Sequence, residues 1–284
     1  MIDRDTFDVM ALPNSMRAVV TGAGSGLGRA FCLELGRRGA RIVASDIDLG
    51  SAEKTADACG GQAVRCDVSR LADVETLGND VDRLLGGVDL LINNAGVGVS
   101  GRIDEIPPED WQWLLGINLW GVIHGLQVFV PRMREQKSGH VINVASAAGF
   151  AGMALMGPYC ASKAAVISLS ETLAAEGESH GIGVTVLCPT YFPTNIVQSG
   201  RGSGDKVEQL RAFAEKQMAQ GKWSAEDVAR FALDAAEAGR LYAVPMSDAR
   251  WLWRFKRFMP ERFARMSTKV VLSQLRKYGL TVER

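Results

Sequence analysis

Short, nearly uninterrupted apolar runs recur along the chain, with longer stretches of helical patterning between them. Residues 17–21 (RAVVT), 41–45 (RIVAS), 89–93 (DLLIN), 140–145 (HVINVA) and 184–188 (VTVLC) are rich in Val and Ile and bounded by polar or glycine-containing segments. Such runs suit strands buried on both faces of a parallel sheet. Residues 27–36 and 163–178 carry the helical pattern between strands. The alternation predicts βαβ units and an α/β fold, a Rossmann-type doubly wound parallel sheet with helices on both faces. Neither an internal repeat nor a low-complexity segment interrupts it.

One domain is expected over residues 1–249, followed by a helical tail over 250–284. A lid-like insertion is expected at about 197–222, where Gly200–Gly204 (GRGSG) reads as a flexible joint and 205–220 as a helix. An ordinary surface helical pair is the alternative. Ser224-Ala-Glu-Asp227 has the spacing of a capping box that opens the next helix.

Composition narrows the class. The 284 residues are 47% hydrophobic, with a mean hydropathy of +0.03 and zero formal net charge. This is enough apolar material for a large core, and it argues against nucleic-acid binding through bulk charge. No secretory signal is read at the start, and the apolar runs fall short of the roughly 18 residues of a membrane span. Cys32, Cys59, Cys66, Cys160 and Cys188 are scattered, which suggests reduced thiols and a cytoplasmic setting. His124, His140 and His180 fit no metal-ligand spacing; they are placed on loops or helix surfaces, and no metal is expected.

The charge is unevenly spread. Residues 250–284 contain ten Lys or Arg and two Glu, a net +8 that the rest of the chain offsets. Trp251, Phe255 and Phe258 recur at i, i+4 and i+7, so they share one helical face. The tail is expected to pack on its own acidic body or on a partner subunit, or else to lie on an anionic membrane.

Directly after the first apolar run comes Thr21-Gly22-Ala23-Gly24-Ser25-Gly26-Leu27-Gly28, leading into a helix. Glycines allow a sharp turn and close approach of backbone N–H groups to a pyrophosphate, which the helix N-terminus favours. A strict GxGxxG fails at Leu27; the spacing present is TGxxxGxG. Asp46 closes the second strand about 20 residues on, where an acid would hold ribose hydroxyls and repel the extra phosphate of NADP. Ile47 brings no compensating charge, so NAD is favoured over NADP, with Arg29, Arg37 and Arg38 left open as phosphate partners. A helix-capping or turn role is the alternative for Asp46.

With Asp67-Val68, Asn93-Asn94-Ala95-Gly96, Asn118, Ser146 and Tyr159-Cys160-Ala161-Ser162-Lys163 following in order, residues 17–196 resemble the short-chain dehydrogenase/reductase family, in its shorter single-domain branch. The resemblance implies that Gly22, Ser25, Gly26, Leu27 and Gly28 hold the pyrophosphate. It places Asp67 and Val68 at the adenine and has Asn94 and Gly96 line the cofactor channel. The segment from Pro189 to Thr194, including Phe192, would close over the nicotinamide. Here the chain departs from the usual Pro-Gly, with Pro189-Thr190.

The implied chemistry is hydride transfer between nicotinamide and a substrate carbon, with a proton exchanged at the substrate oxygen. A tyrosine serves if a nearby ammonium lowers its pKa from about 10. Tyr159 and Lys163, four apart, share a helical face. Ser146 would hold the substrate oxygen, Lys163 would also bind the nicotinamide ribose, and Asn118 would support a proton path to Lys163. An interior carbonyl-satisfying role is the alternative for Asn118. Phe150, Met153, Leu155 and Met156 read as an apolar wall, bordered by Phe192, for a lipid-like or steroid-like alcohol or ketone. Packing on a neighbouring subunit is the alternative there, and a homodimer or homotetramer is expected. The rival functions are a non-catalytic dinucleotide sensor or scaffold and a sugar-nucleotide epimerase or dehydratase. A sensor leaves Ser146, Tyr159 and Lys163 unexplained, and the glycine spacing disfavours the epimerase.

Overall fold

The computed structural model describes residues 15–194, 196, 198–204 and 207–277. Residues 278–284 of the tail, residues 1–14 of the expected domain, and 197, 205 and 206 of the expected insertion lie outside them. The strands are β1 (Arg17–Thr21), β2 (Arg41–Asp46), β3 (Gln62–Arg65), β4 (Leu90–Asn93), β5 (Val99–Ser100), β6 (Gly139–Val144), β7 (Ile182–Leu187), β8 (Arg201–Gly202) and β9 (Tyr242–Ala243). The helices are α1 (Gly26–Arg37), α2 (Leu49–Cys59), α3 (Leu71–Leu85), α4 (Pro108–Leu115), α5 (Gly121–Gln136), α6 (Gly157–Gly177), α7 (Val207–Ala219), α8 (Ala225–Glu237), α9 (Ser247–Phe258) and α10 (Pro260–Lys277).

Seven strands form one parallel sheet in the order β3-β2-β1-β4-β6-β7-β9. Successive side chains leave opposite faces of the pleat. Ala18 and Val20 accordingly join Phe31 and Leu35 of α1 and Val228 and Leu233 of α8. Val19, between them, joins Leu77 of α3 and Phe129 and Met133 of α5. Strand order reverses between β1 and β4, and in open α/β sheets the crevice beyond the strand ends at such a point receives the ligand.

The edge strand β9, only two residues long within the apolar run Leu241–Val244, is not among the strands expected from the sequence. The capping box at Ser224 is present, with both reciprocal bonds to Asp227. The GRGSG joint is not free: Arg201–Gly202 pairs with Val99–Ser100 as β8 on β5. Arg201 also stacks its guanidinium 4.0 Å over the Trp113 ring and pairs with Asp110 at 3.0 Å.

Two further expectations are corrected. His140 lies within β6, buried, with Nε2 2.9 Å from Thr185 Oγ1, and burial lowers its pKa to about 4. His124 is buried on α5, its Nδ1 2.9 Å from the Val68 carbonyl. Residues 108–136 also form one helix that by length and composition could cross a membrane, although no apolar run of that size was expected. Scattered polar residues break its apolar runs, yet its mean hydropathy still reaches 1.5. Half of its apolar window is buried inside the fold, against β4, β6 and α3.

Candidate active site

The crevice between β1 and β4 is laced together by side chains. Asn94 Nδ2 donates to the carbonyls of Thr21 (2.9 Å) and Gly22 (3.1 Å), while Thr21 Oγ1 accepts from the N–H groups of Asn94 and Ala95. The Asn94 side chain, expected to line the cofactor channel, is thus committed to the glycine turn. Close packing explains two of the glycines. A Cβ on Gly28 would fall 2.0 Å from the Gly22 carbonyl oxygen, and one on Gly22, at φ +64°, 2.8 Å from Ala95 Cα. Gly26 differs, because at φ +51° its nearest neighbour to an added Cβ is Thr194 Cβ at 3.9 Å. That leaves an open cradle at the N-terminus of α1. Ser25 occupies the cap position of α1 without a side-chain cap bond, so its hydroxyl is not used by the helix. Leu27 is buried in the core and contributes to the cradle only through its backbone.

Asp46 stands at the end of β2, its Oδ2 accepting from Gly24 N–H at 2.9 Å and its Oδ1 from Asp48 N–H at 3.0 Å. Asp48, not Asp46, caps α2. Arg37 and Arg38 are spent on acids: Arg37 binds Glu34, and Arg38 binds Glu34, Asp234 and Glu237. Asp67 accepts from the N–H and hydroxyl of Ser69, and Val68 is buried beside Gly121.

On the other side of the crevice, β6 leads to Ser146, which caps the short turn Ala147–Gly149 by accepting from Ala148 N–H at 3.1 Å. Tyr159 lies in the first turn of α6 and Lys163 one turn on, with Nζ 5.7 Å from the Tyr159 ring centre. Lys163 is buried and donates to the Val144 carbonyl at 2.8 Å. Burial lowers its pKa to about 8. Burial raises the Tyr159 phenol to about 12, with the hydrogen-bonded Ser146 pulling it down. The expected lowering of Tyr159 by Lys163 does not appear: desolvation raises the phenol, and Ser146, not the ammonium, supplies the opposing pull.

Asn118 is fully buried on a π-helical turn, Gly116–Trp120, that interrupts residues 108–136. Its amide closes on both backbone groups of Val97, accepting N–H at 2.8 Å and donating to the carbonyl at 2.9 Å. It also reaches Ser162 Oγ at 3.4 Å, so the carbonyl-satisfying role holds. Gly96 backs onto Asn118 and Lys163, since a Cβ there would lie 3.4 and 3.6 Å from their polar atoms. Asn118, Lys163 and Gly96 therefore share one small region, as the sequence motifs implied.

Other residues moved or were missed. Phe150 is not a pocket wall; it is buried, stacked at 5.4 Å on Trp253 of α9, and joined to the main core. Phe192 is likewise buried in that core. Pro189 meets Ser146 through its carbonyl, which accepts from Ala147 N–H at 2.9 Å. Thr190, in place of the usual glycine, turns its hydroxyl to Asp248 of α9 at 3.3 Å. Tyr191 was not singled out from sequence, yet its half-buried phenol reaches Met153 Sδ at 3.9 Å, and it is electrostatically coupled to Tyr159. Deep in the fold, Asn93 donates to Asn143 at 2.9 Å and Asn143 donates to Ser170 at 3.0 Å, tying β4, β6 and α6 together beneath the site. No cluster of potential metal ligands occurs among the described residues.

The family model described as short chain dehydrogenase matches residues 16–203. The chain belongs to the short-chain dehydrogenase/reductase family. Among relatives within it, a C alpha-dehydrogenase of Sphingobium sp. is 32% identical over 247 residues, covering 82% of this chain and 81% of the relative. A Mycobacterium tuberculosis protein named "Probable oxidoreductase EphD" is 35% identical over 253 residues, covering 85% of this chain. The chain spans only 43% of the length of that relative. A short-chain dehydrogenase/reductase structure from Burkholderia phymatum in complex with NAD superposes with a TM-score of 0.83 at 34% identity, covering 89% of this chain and 96% of that one.

Proposed function

We propose that this family member is an NAD-dependent oxidoreductase that interconverts a hydrophobic secondary alcohol and its ketone, with Tyr159 as general acid and base. The observation that carries the reading is the convergence of Ser146, Tyr159 and Lys163 beside the strand-order reversal. When bound, NAD supplies the two-electron acceptor or donor at its nicotinamide ring. The residues present suit that cofactor. The open face at Gly26 and the unused Ser25 hydroxyl suit a pyrophosphate, the Asp46 carboxylate suits a ribose diol, and Arg37 and Arg38 are unavailable to a further phosphate.

Tyr159 gives its proton to the carbonyl oxygen in reduction and takes it back in oxidation. Ser146, whose hydroxyl draws the phenol's pKa down, holds that oxygen where charge develops. Lys163, fixed by Val144 one helical turn from Tyr159, stands where the resemblance has it bind the nicotinamide ribose. Asn118 holds the Val97 backbone and the Ser162 hydroxyl in place around Lys163. Met153, Leu155 and Met156, all partly exposed, favour an apolar substrate. Dehydrogenase and reductase names among the relatives and neighbours agree with this chemistry.

The test is NADH formation from NAD across secondary alcohols from short aliphatic to steroid-sized, with NADP and Tyr159→Phe in parallel. Tyr159→Phe is expected to lower kcat by about 10²–10⁴-fold, the range for losing a general acid or base. Retained turnover would refute the role of Tyr159, turnover only with NADP would refute that of Asp46, and turnover of polyols alone would refute the apolar pocket. A cytoplasmic homodimer or homotetramer completes the proposal, supported by five free cysteines and by Trp120, 52% exposed on the long 108–136 helix. Light scattering checks the assembly: a monomer at micromolar concentration would refute it.

A further inference from the structure

The tail forms a helical hairpin whose two faces differ sharply. Its inner face is anchored: Ala249 and Phe263 are buried, and Trp253 packs on Phe150 and Tyr242. Arg250 donates to the Val244 and Pro245 carbonyls, and Lys256 to that of Phe150. Its outer face is aromatic and cationic. Phe258 is 79% exposed and Met259 44%, at the bend between α9 and α10, and Trp251, 53% exposed, stacks on Phe255 at 4.9 Å. Trp251, Phe255 and Phe258 line an open groove of about 440 Å³ with Arg250 and Arg254 on its walls. Among the described residues, Arg254, Arg257, Arg262 and Arg265 form no salt bridge.

We propose that the α9–α10 hairpin docks the protein on an anionic phospholipid bilayer, with Phe258 and Met259 entering the interface and the flanking arginines binding lipid phosphates. Exposed Trp and Phe favour the headgroup level of a bilayer, and cations on the same face add attraction to anionic lipid. Charge decides against a second copy in two-fold contact through this face. Such an interface brings the same patch together from both subunits and sets arginine against arginine. The hairpin is also joined to the active site. Trp253 lies on Phe150, four residues after Ser146, and Asp248 accepts from Thr190, next to Pro189. Docking through the outer face therefore brings the substrate-side loops to the membrane surface, where an amphiphilic alcohol would be collected. Docking itself does not depend on the catalytic reading.

The experiment is co-sedimentation of the full chain with vesicles of phosphatidylcholine alone or with one third phosphatidylglycerol, at about 0.1 M and about 0.5 M salt. Binding is expected only to the anionic vesicles and mostly lost at the higher salt. Arg254→Ser/Arg262→Ser, at the groove and beside Met259, should weaken it roughly 25-fold, about five-fold per cation. Phe258→Ser should weaken it about ten-fold through lost apolar insertion. Phe258 is on the outside, so this variant should keep the wild-type melting temperature. No pelleting, or equal pelleting with neutral vesicles, overturns the proposal. So does a variant that changes the oligomeric mass and leaves vesicle binding intact, which would assign the face to a second copy. Solution turnover of a soluble alcohol should be unchanged in Phe258→Ser, so failure of docking is distinguishable from failure of the catalytic proposal.

Discussion

Trp253→Ala tests whether the basic tail is structurally part of the Rossmann-type body. The indole is half-buried, stacked at 5.4 Å and 20° on Phe150 and centred 4.6 Å from Tyr242, whose hydroxyl donates to Glu171 of α6. Truncating a fully buried Trp costs about 3–5 kcal/mol, and an aromatic pair adds about 0.5–1.5 kcal/mol beyond burial. Half-burial with two ring partners places the loss at about 2–3 kcal/mol. For a domain of this size each kcal/mol lowers Tm by roughly 2–4 °C, so a drop of about 4–12 °C is expected by calorimetry. Part of the loss can appear as local opening of the hairpin, so hydrogen exchange over 247–263 is read alongside. Phe258→Ala, on the outer face, should stay within about 0.5 kcal/mol of wild type. The Phe150 turn carries Ser146, so kcat/KM should also fall by about ten-fold if that turn loosens by a fraction of an ångström. If Trp253→Ala melts with Phe258→Ala and α9 exchanges as in wild type, the packing argument is refuted.

Titration supplies two further outcomes. His140 is held neutral to about pH 4 against an ordinary value of 6.5, so the unfolded chain binds a proton first and stability is lost as pH falls from 6.5 to 4. The loss is up to about 3 kcal/mol; His140→Gln should flatten that acid limb in urea melts, and an unchanged slope would count against burial as the cause. Lys163 is lowered from 10.5 to about 8, so between those values the folded state holds fewer protons and stability gains as pH rises. The wild type should accordingly gain on Lys163→Met by up to about 3 kcal/mol between pH 8 and 10, and parallel curves would contradict the linkage. Gly125→Ala would put a Cβ 2.3 Å from Asn93 Oδ1, inside the buried Asn93–Asn143–Ser170 network. Overpacking of this kind costs about 1–3 kcal/mol, and a neutral chemical melt would show that the network can yield.

Residues whose role depends on local spacing were legible. The glycine turn, Asp46 at the end of β2, and Tyr159 and Lys163 on one face of α6 all stand where pattern and resemblance put them, because each is fixed by its own strand end or helix turn. Residues whose role depends on distant partners were not. Phe150 and Phe192 looked like pocket lining because their neighbours are loop residues; only the fold brings Trp253 and the main core to them. His140 sits in a run that reads as a strand, yet its partner Thr185 is on β7, and no local signal distinguishes a buried histidine from a surface one. Asn118 shows the limit from the other side: its amide is engaged by Val97 and Ser162, and the π-turn that aims it leaves no trace in the residue pattern.

Thr190 joins the two halves of the problem. Viewed alone it is a departure from the usual glycine, with a side chain that could narrow a pocket. In the fold that side chain points to Asp248, and the residues after Asp248 carry Trp253 onto the turn that begins at Ser146. Both segments that flank the reacting centre, Ser146–Phe150 and Pro189–Thr190, are therefore braced by α9. The tail is thus part of the wall behind these segments. The hydroxyl that glycine lacks adds one bond to Asp248, beside the Trp253, Arg250 and Lys256 contacts that anchor the hairpin.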